Sequence, residues 1–266
     1  MADEPIIATP VGGLTTPEIS TEGEVSRTRN QEMGSVLTEA IQHGKETVPE
    51  NPAPLVCKPQ QIESWRVFKI MSEFVDGFEV LKRHGLAATF FGSARESFDP
   101  KLYAAATELS GKLAKAGFAV FSGGSAGIMQ AANKGAYEAG GSSVGLNIRL
   151  EDDQGSNGYL TETVVFDHFF VRKVMLAYAS EVYIYFPGGY GTLDEFTEIL
   201  TLVQTKKIRK IPIVLYGKEF WEPIRRFFCD NLYEKYGAID ESDLELFHIV
   251  DSVDEAYEYI TKNVTC

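Results

Sequence analysis

Beyond about residue 60, short apolar runs alternate with stretches in which apolar residues recur every three or four positions. Gln61 to His84 carries Ile62, Trp65, Phe68, Met71, Phe74, Val75, Phe78 and Leu81 at helical spacing and stops at Gly85, which predicts a long amphipathic helix with an aromatic stripe. That stripe is expected to pack on the domain flank or on a partner subunit. Buried strands are expected at Leu86–Phe91, Phe118–Phe121, Ser143–Ile148, Thr163–Phe166, Val182–Phe186 and Ile211–Tyr216, with a further strand at Phe247–Val250. Between them, Pro100 opens a helix at its first turn, and a helix of small residues runs through Ala139 to Gly140-Gly141. Asp167 to Ser180 reads as a helix capped by Asp167, with Val171, Val174, Met175 and Tyr178 on its apolar face. Phe196, Ile199, Leu200 and Val203 mark another, and further helices are expected around Phe220 to Tyr233 and from Val253. Strands alternating with helices predict an α/β fold, a Rossmann-like doubly wound parallel sheet covered on both faces.

Composition divides the chain. Every aromatic residue lies at or after Trp65, and seven of the eleven prolines lie at or before Pro59. Residues 1–54 hold nine Asp or Glu against three Lys or Arg, so they carry −6 of the net −13. They read as a loosely attached acidic arm, with a short helix expected at Gln31 to His43, ahead of a single domain spanning 55–266. The acidic balance argues against a nucleic-acid polymer as partner, since tracking a phosphate backbone needs a basic face. Three cysteines, Cys57, Cys229 and Cys266, show no metal-type spacing and are expected as free thiols, and no metal or cofactor is expected. Nothing near Met1 reads as a signal peptide and no apolar run is long enough to span a bilayer, so the expectation is a cytoplasmic protein away from membranes.

The candidate chemistry gathers where strands meet glycine turns. Phe186-Pro187-Gly188-Gly189-Tyr190-Gly191-Thr192 joins an expected strand to a helix start, and such a turn can hold a phosphate against first-turn amides that have no partner inside the helix. Glu195 stands three residues after Thr192 and shares its helix face; Asp194 points roughly 100° away and is the poorer candidate. A carboxylate so near a phosphate turn suits chemistry on a sugar attached to that phosphate, although acids in a first turn are also favoured by the helix dipole alone. Ser122-Gly123-Gly124-Ser125-Ala126-Gly127 follows the second strand and is a weak match to a dinucleotide fingerprint, better suited to a mononucleotide, or to close helix–sheet packing alone. Arg172 and Lys173 lie off the apolar face of their helix, whose start should reach the same rim. An arginine there can grip phosphate or orient a carboxylate in a fork that lysine cannot reproduce. Arg95, just after the first strand, is another cation on that rim.

Pro187-Gly188-Gly189-Tyr190-Gly191-Thr192-Leu193-Asp194-Glu195 resembles the PGGxGTxxE motif of the Lonely Guy family, nucleoside-5'-monophosphate phosphoribohydrolases that activate cytokinins and are often mislabelled lysine decarboxylases. The resemblance continues through Arg172-Lys173, the turns at Phe91–Arg95 and Ser122–Gly124, and Leu202 to Lys207, covering roughly Gln61 to Phe228. Phe169-Phe170 stands where plant-type members have Met-His, which resembles a longer bacterial branch. The resemblance implies that Gly188, Gly189, Gly191 and Thr192 hold the 5'-phosphate and that Glu195 and Arg172 form the catalytic pair. Ser122, Gly123, Gly124, Arg95 and Lys173 complete the expected binding set. The implied reaction is hydrolysis of the bond between base and ribose in AMP or an N6-substituted AMP, by a homo-oligomer, dimer or hexamer. The alternative is a carrier or sensor that binds a nucleotide or cofactor in the same cleft without cleaving it. A pyridoxal-dependent lysine decarboxylase finds little support, because Lys173 beside an arginine lacks a pyridoxal site.

Overall fold

Strands buried on both faces must be apolar along their whole length, and four of the runs singled out above form such strands. In the computed structural model, which describes residues 63–95, 99–150 and 155–265, every residue of β1 (Ala87–Phe91), β2 (Ala119–Ser122), β5 (Val182–Tyr185) and β6 (Ile213–Tyr216) is buried. β3 (Ser143–Ile148) is nearly so, whereas β4 (Glu162–Phe166) alternates and β7 (His248–Val250) is half-buried, as befits the two edges. The seven strands form one sheet in the order β4-β3-β2-β1-β5-β6-β7, with every pair parallel. All described residues fall in one unit, Gln61–Cys266. The acidic arm 1–54 and its expected helix lie outside the described residues.

Helices cover both faces, and a separate apolar cluster fills each side. α1 (Ser64–Leu81), α4 (Phe169–Tyr178), α5 (Tyr190–Gln204) and α6 (Lys218–Phe227) close one side over Phe91, Phe121, Tyr183 and Tyr185. α2 (Pro100–Lys115), α3 (Ile128–Glu138) and α7 (Val253–Asn263) close the other over Ala88, Phe90, Val120, Ile184 and Val214. Pro100 opens α2 as expected, and Asp99 caps it by accepting the Lys101 amide at 2.7 Å. Among the described residues no helix is long and apolar enough to cross a membrane.

Three expectations are corrected. Asp167 does not cap α4: the cap position is His168, and Asp167 instead pairs with Lys69 and, at 2.7 Å, with Arg149. The helix expected around Phe220 to Tyr233 is two pieces, α6 followed by a π-helical segment, Phe228–Lys235. The stripe of α1 packs on the domain flank only in part. Phe74 and Leu81 lie against the core beside the buried Glu73, Gly77 and Val80, while Trp65, Phe68, Met71, Val75 and Phe78 stay exposed.

The strand order places the site. From β1 the chain winds outward through β2, β3 and β4, then returns across the centre to β5 and winds the other way, so the sheet reverses direction between β1 and β5. Loops leaving those two strands diverge and leave a crevice at their carboxyl ends. The turns after β1, β2 and β5 are stitched together there. The Ser93 amide donates to the Pro187 carbonyl at 3.1 Å, and the Ser93 carbonyl accepts the Ile128 amide at 2.9 Å. Gly127 is what lets the latter pair close: its φ is +66°, and a β-carbon would lie 2.2 Å from the Ser93 oxygen. Gly127→Ala is therefore expected to destabilise the protein by at least ~2 kcal/mol, read as a lower urea midpoint, because it adds a disfavoured backbone conformation to a collision with main chain that cannot yield.

Candidate active site

The crevice is a cleft of about 360 Å³, within the range of small-ligand sites. The β1 turn contributes Gly92, Ser93, Ala94 and Arg95; Gly123 and Met129 come from the β2 side; Phe169, Arg172 and Leu176 come from α4; and Gly189, Gly191, Thr192, Asp194 and Glu195 come from the start of α5. Sequence reasoning paired the glycine turns after β2 and β5. β1 lies between those strands, and its turn forms the floor where they meet.

The β5 turn delivers the α5 start. Gly189 is the cap residue and has no side chain to satisfy the first amides, while its carbonyl accepts from Thr192 and Leu193 at 3.1 Å each. Gly188 faces inward, against the Thr192 hydroxyl and the Ser93 amide. Glu195 follows one turn on, and the buried Tyr185 hydroxyl donates to its backbone carbonyl at 3.2 Å, fixing that turn to the sheet.

The Glu195 carboxyl is the unusual group. One oxygen, Oε2, is buried and has no hydrogen-bond partner. Burial pushes its pKa up from the ordinary carboxylate value to about 7; Lys173 and Arg172 pull against that rise, while Glu198 and Asp194 add to it. Arg172 lines the cleft with its Nε donating to the Leu146 carbonyl at 2.7 Å. Its guanidinium is drawn down from the usual value by burial, which Glu195 opposes. The two interact through space, and among the described residues they form no direct ion pair. Gly123 makes the room: a β-carbon there would stand 2.1 Å from Arg172 Nη2. The start of α4 is anchored by Glu73 on α1, which accepts from the His168 amide at 3.2 Å and meets His168 Nδ1 at 2.9 Å.

The remaining expected residues divide. Arg95 lines the cleft and is exposed. Ser122 and Gly124 sit beneath it. The Ser122 hydroxyl donates to Asn133 Oδ1 at 2.6 Å and accepts the Gly124 amide at 2.9 Å, while the Gly124 carbonyl accepts from the Asn157 amide and from Asn147 Nδ2. Asn133, Asn147 and Asn157 form a satisfied polar bed for the β2 turn that sequence reasoning missed, since lone asparagines scattered over three segments carry no spacing signal. Lys173 turns out of the cleft and pairs with Asp194 at 2.7 Å and Glu198 at 3.4 Å. Met129 and Leu176 were also missed; on helical spacing alone each reads as core.

Fold and site together define a doubly wound α/β protein with a cleft at its switch point that holds a part-buried carboxyl beside an uncapped helix start. A family model described as possible lysine decarboxylase matches residues 129–260. The cytokinin riboside 5'-monophosphate phosphoribohydrolase LOG5 of Arabidopsis thaliana is 34% identical over 144 residues, 54% of this chain and 61% of that protein. The enzyme of the same name from Rhodococcoides fascians is 30% identical over 40% of this chain and 54% of its own length. The matches to these two relatives thus span less than two thirds of either. The solved structure of TM1055 superposes with a TM-score of 0.53 at 26% identity, over 66% of this chain and 99% of that one. The molybdenum cofactor carrier protein of Chlamydomonas reinhardtii, at 23% identity over 67% of this chain and 97% of its own, shares the fold with a TM-score of 0.51. The resemblance to the Lonely Guy family is borne out by the family model and by the named relatives.

A carboxyl whose folded pKa lies above its unfolded value holds its proton more tightly when folded. The protein therefore loses stability as pH rises from about 4.5 through about 7. Glu195→Gln removes that cost and is expected to stabilise the protein at pH 8 by roughly 1–3 kcal/mol, with the gain vanishing below about pH 4.5. Urea titrations of both proteins across that range check it.

Proposed function

We propose that the chain hydrolyses the N-glycosidic bond of a nucleoside 5'-monophosphate of the AMP type, plain or N6-substituted, releasing the base and ribose 5-phosphate. The observation that carries this reading is the part-buried Glu195 carboxyl, with Oε2 buried and without a hydrogen-bond partner, one helical turn from an uncapped helix start. A phosphate seated on the first-turn amides and the Thr192 hydroxyl leaves its sugar about one turn, ~5 Å, from that carboxyl. The names of the relatives from Arabidopsis thaliana and Rhodococcoides fascians point to the same reaction.

In the proposed step Glu195, ionised, takes a proton from a water whose oxygen bonds to the anomeric carbon. The bond from that carbon to the purine breaks, its electron pair goes to the ring nitrogen, and that nitrogen is protonated from solvent. The carboxylate also offsets the positive charge that builds on the sugar. Arg172, held by the Leu146 carbonyl, orients the carboxylate and the sugar phosphate, and Arg95 at the lip attracts the phosphate. Binding energy from the phosphate, remote from the breaking bond, goes into positioning.

We also read the exposed face of α1 as the contact with a second copy. Trp65, Phe68, Met71, Val75 and Phe78 form an apolar stripe on one helix, and Tyr178 of α4 extends it through an edge contact with Phe78. Phe68→Glu is expected to shift the protein to monomer in analytical ultracentrifugation.

Adenine release from AMP tests the reaction. Wild type is expected to release it, and Glu195→Ala or Arg172→Ala to lower turnover by about 100-fold or more. Variants as active as wild type would remove the assignment. Nucleotide recovered intact and stoichiometric with the wild-type protein, without base release, would make the cleft a carrier's.

A further inference from the structure

The flank of α5 carries more negative charge than the cleft uses. Asp194, Glu195 and Glu198 lie within little more than one turn; Glu195 Oε2 is buried without a hydrogen-bond partner, and the buried Glu198 Oε2 has only an ion-pair contact. The cation that faces this cluster is Lys173 on α4. Its Nζ is 2.7 Å from Asp194 Oδ2 and 3.4 Å from Glu198 Oε2, with the lysine side chain 25% exposed. Arg172, its neighbour in sequence, is turned by roughly 100° around the same helix and enters the cleft instead. Two adjacent cations thus serve two sides of one carboxylate cluster, one toward ligand and one away from it.

We propose that Lys173 is a positioning residue and not a phosphate ligand: it is the counter-charge that lets three carboxylates crowd one flank of α5 and favours the carboxylate form of Glu195 beside the cleft. Its catalytic consequence rests on the hydrolase reading above; the charge arrangement itself does not. Among the described residues, the charged and titratable groups around Glu195 come from three elements. α4 presents Arg172 and Lys173, α5 presents Asp194 and Glu198, and β5 beneath presents the buried phenols of Tyr183 and Tyr185, which burial keeps protonated. Burial is the largest influence on Glu195 and favours its neutral form; Lys173 comes next and favours the carboxylate, ahead of Arg172. Removing the lysine leaves the exposed Asp194 and the part-buried Glu195 and Glu198 to repel one another, and Glu195 would keep its proton to higher pH. Removing the charge of Glu198 should act in the opposite sense.

The experiment compares wild type, Lys173→Met, Lys173→Arg and Glu198→Gln. Two readouts are taken: the pH dependence of adenine release from AMP, and carbon-13 NMR titration of labelled glutamate carboxyls in the full chain, with Glu195 assigned by its absence in Glu195→Gln. Lys173→Met is expected to move the Glu195 midpoint up by about one pH unit or more and slow turnover at pH 7 severalfold. Lys173→Arg should stay near wild type, and Glu198→Gln should move the midpoint down. A midpoint unmoved in Lys173→Met, or a raised KM for AMP with no shift in midpoint, would overturn the proposal and return Lys173 to the phosphate. If Lys173→Met fails to fold, an unmoved midpoint in Glu198→Gln overturns it equally. Absence of base release by wild type would sink the hydrolase reading alone, because the NMR titration still decides the charge arrangement.

Discussion

A carboxyl group placed where water cannot fully solvate it, with one oxygen lacking any hydrogen-bond partner, is a costly arrangement that the surrounding structure has to support. Glu195 is in that position, and much of the molecule around it can be understood as support. The buried Tyr185 hydroxyl pins its turn to the sheet, Gly123 clears space for Arg172, and the Leu146 carbonyl keeps that guanidinium at the cleft wall. None of these contacts touches the Glu195 carboxyl itself. One of its oxygens is left without a protein partner, which suits a group whose partner arrives with the ligand.

The stitched turns explain how so open a site stays in register. β1 and β5 diverge at the switch point, and divergence alone would leave three loose loops. Main-chain bonds from Ser93 to Pro187 and from Ile128 to Ser93 convert them into a single floor, with the asparagine bed holding the third turn from below. Main-chain hydrogen bonds fix positions more tightly than exposed side chains, so the cleft walls are preset before any ligand enters.

Much of this was legible in the sequence, for physical reasons. Continuous apolar runs revealed β1, β2, β5 and β6 because they are buried on both faces, and the three-residue step from Thr192 to Glu195 placed both on one helix face. The strand order was not legible, since pairing depends on which side each helix crosses; Arg95 was placed on the rim, but that its turn is the floor between the other two was hidden. Asp167 looked like a cap because caps favour that residue type; its two cationic partners, Lys69 and Arg149, come from α1 and from just past β3 and outcompete the amides. Lys173 looked like a ligand beside Arg172, yet the helical rotation between neighbours sends it to the acidic flank. The asparagine bed gave no signal because its members meet only in three dimensions.

Glu73 links two regions that look unrelated. It sits on the inward face of the same helix whose outward face carries the exposed aromatic stripe, and it grips the residue from which α4, and with it Arg172, departs. The outer surface of α1 and the arginine at the cleft wall thus share one carboxylate–imidazole clamp, which seats the start of α4 one turn ahead of Arg172. A single acid on the inner side of α1 ties the footing of the cleft's arginine to the helix that bears the exposed aromatics.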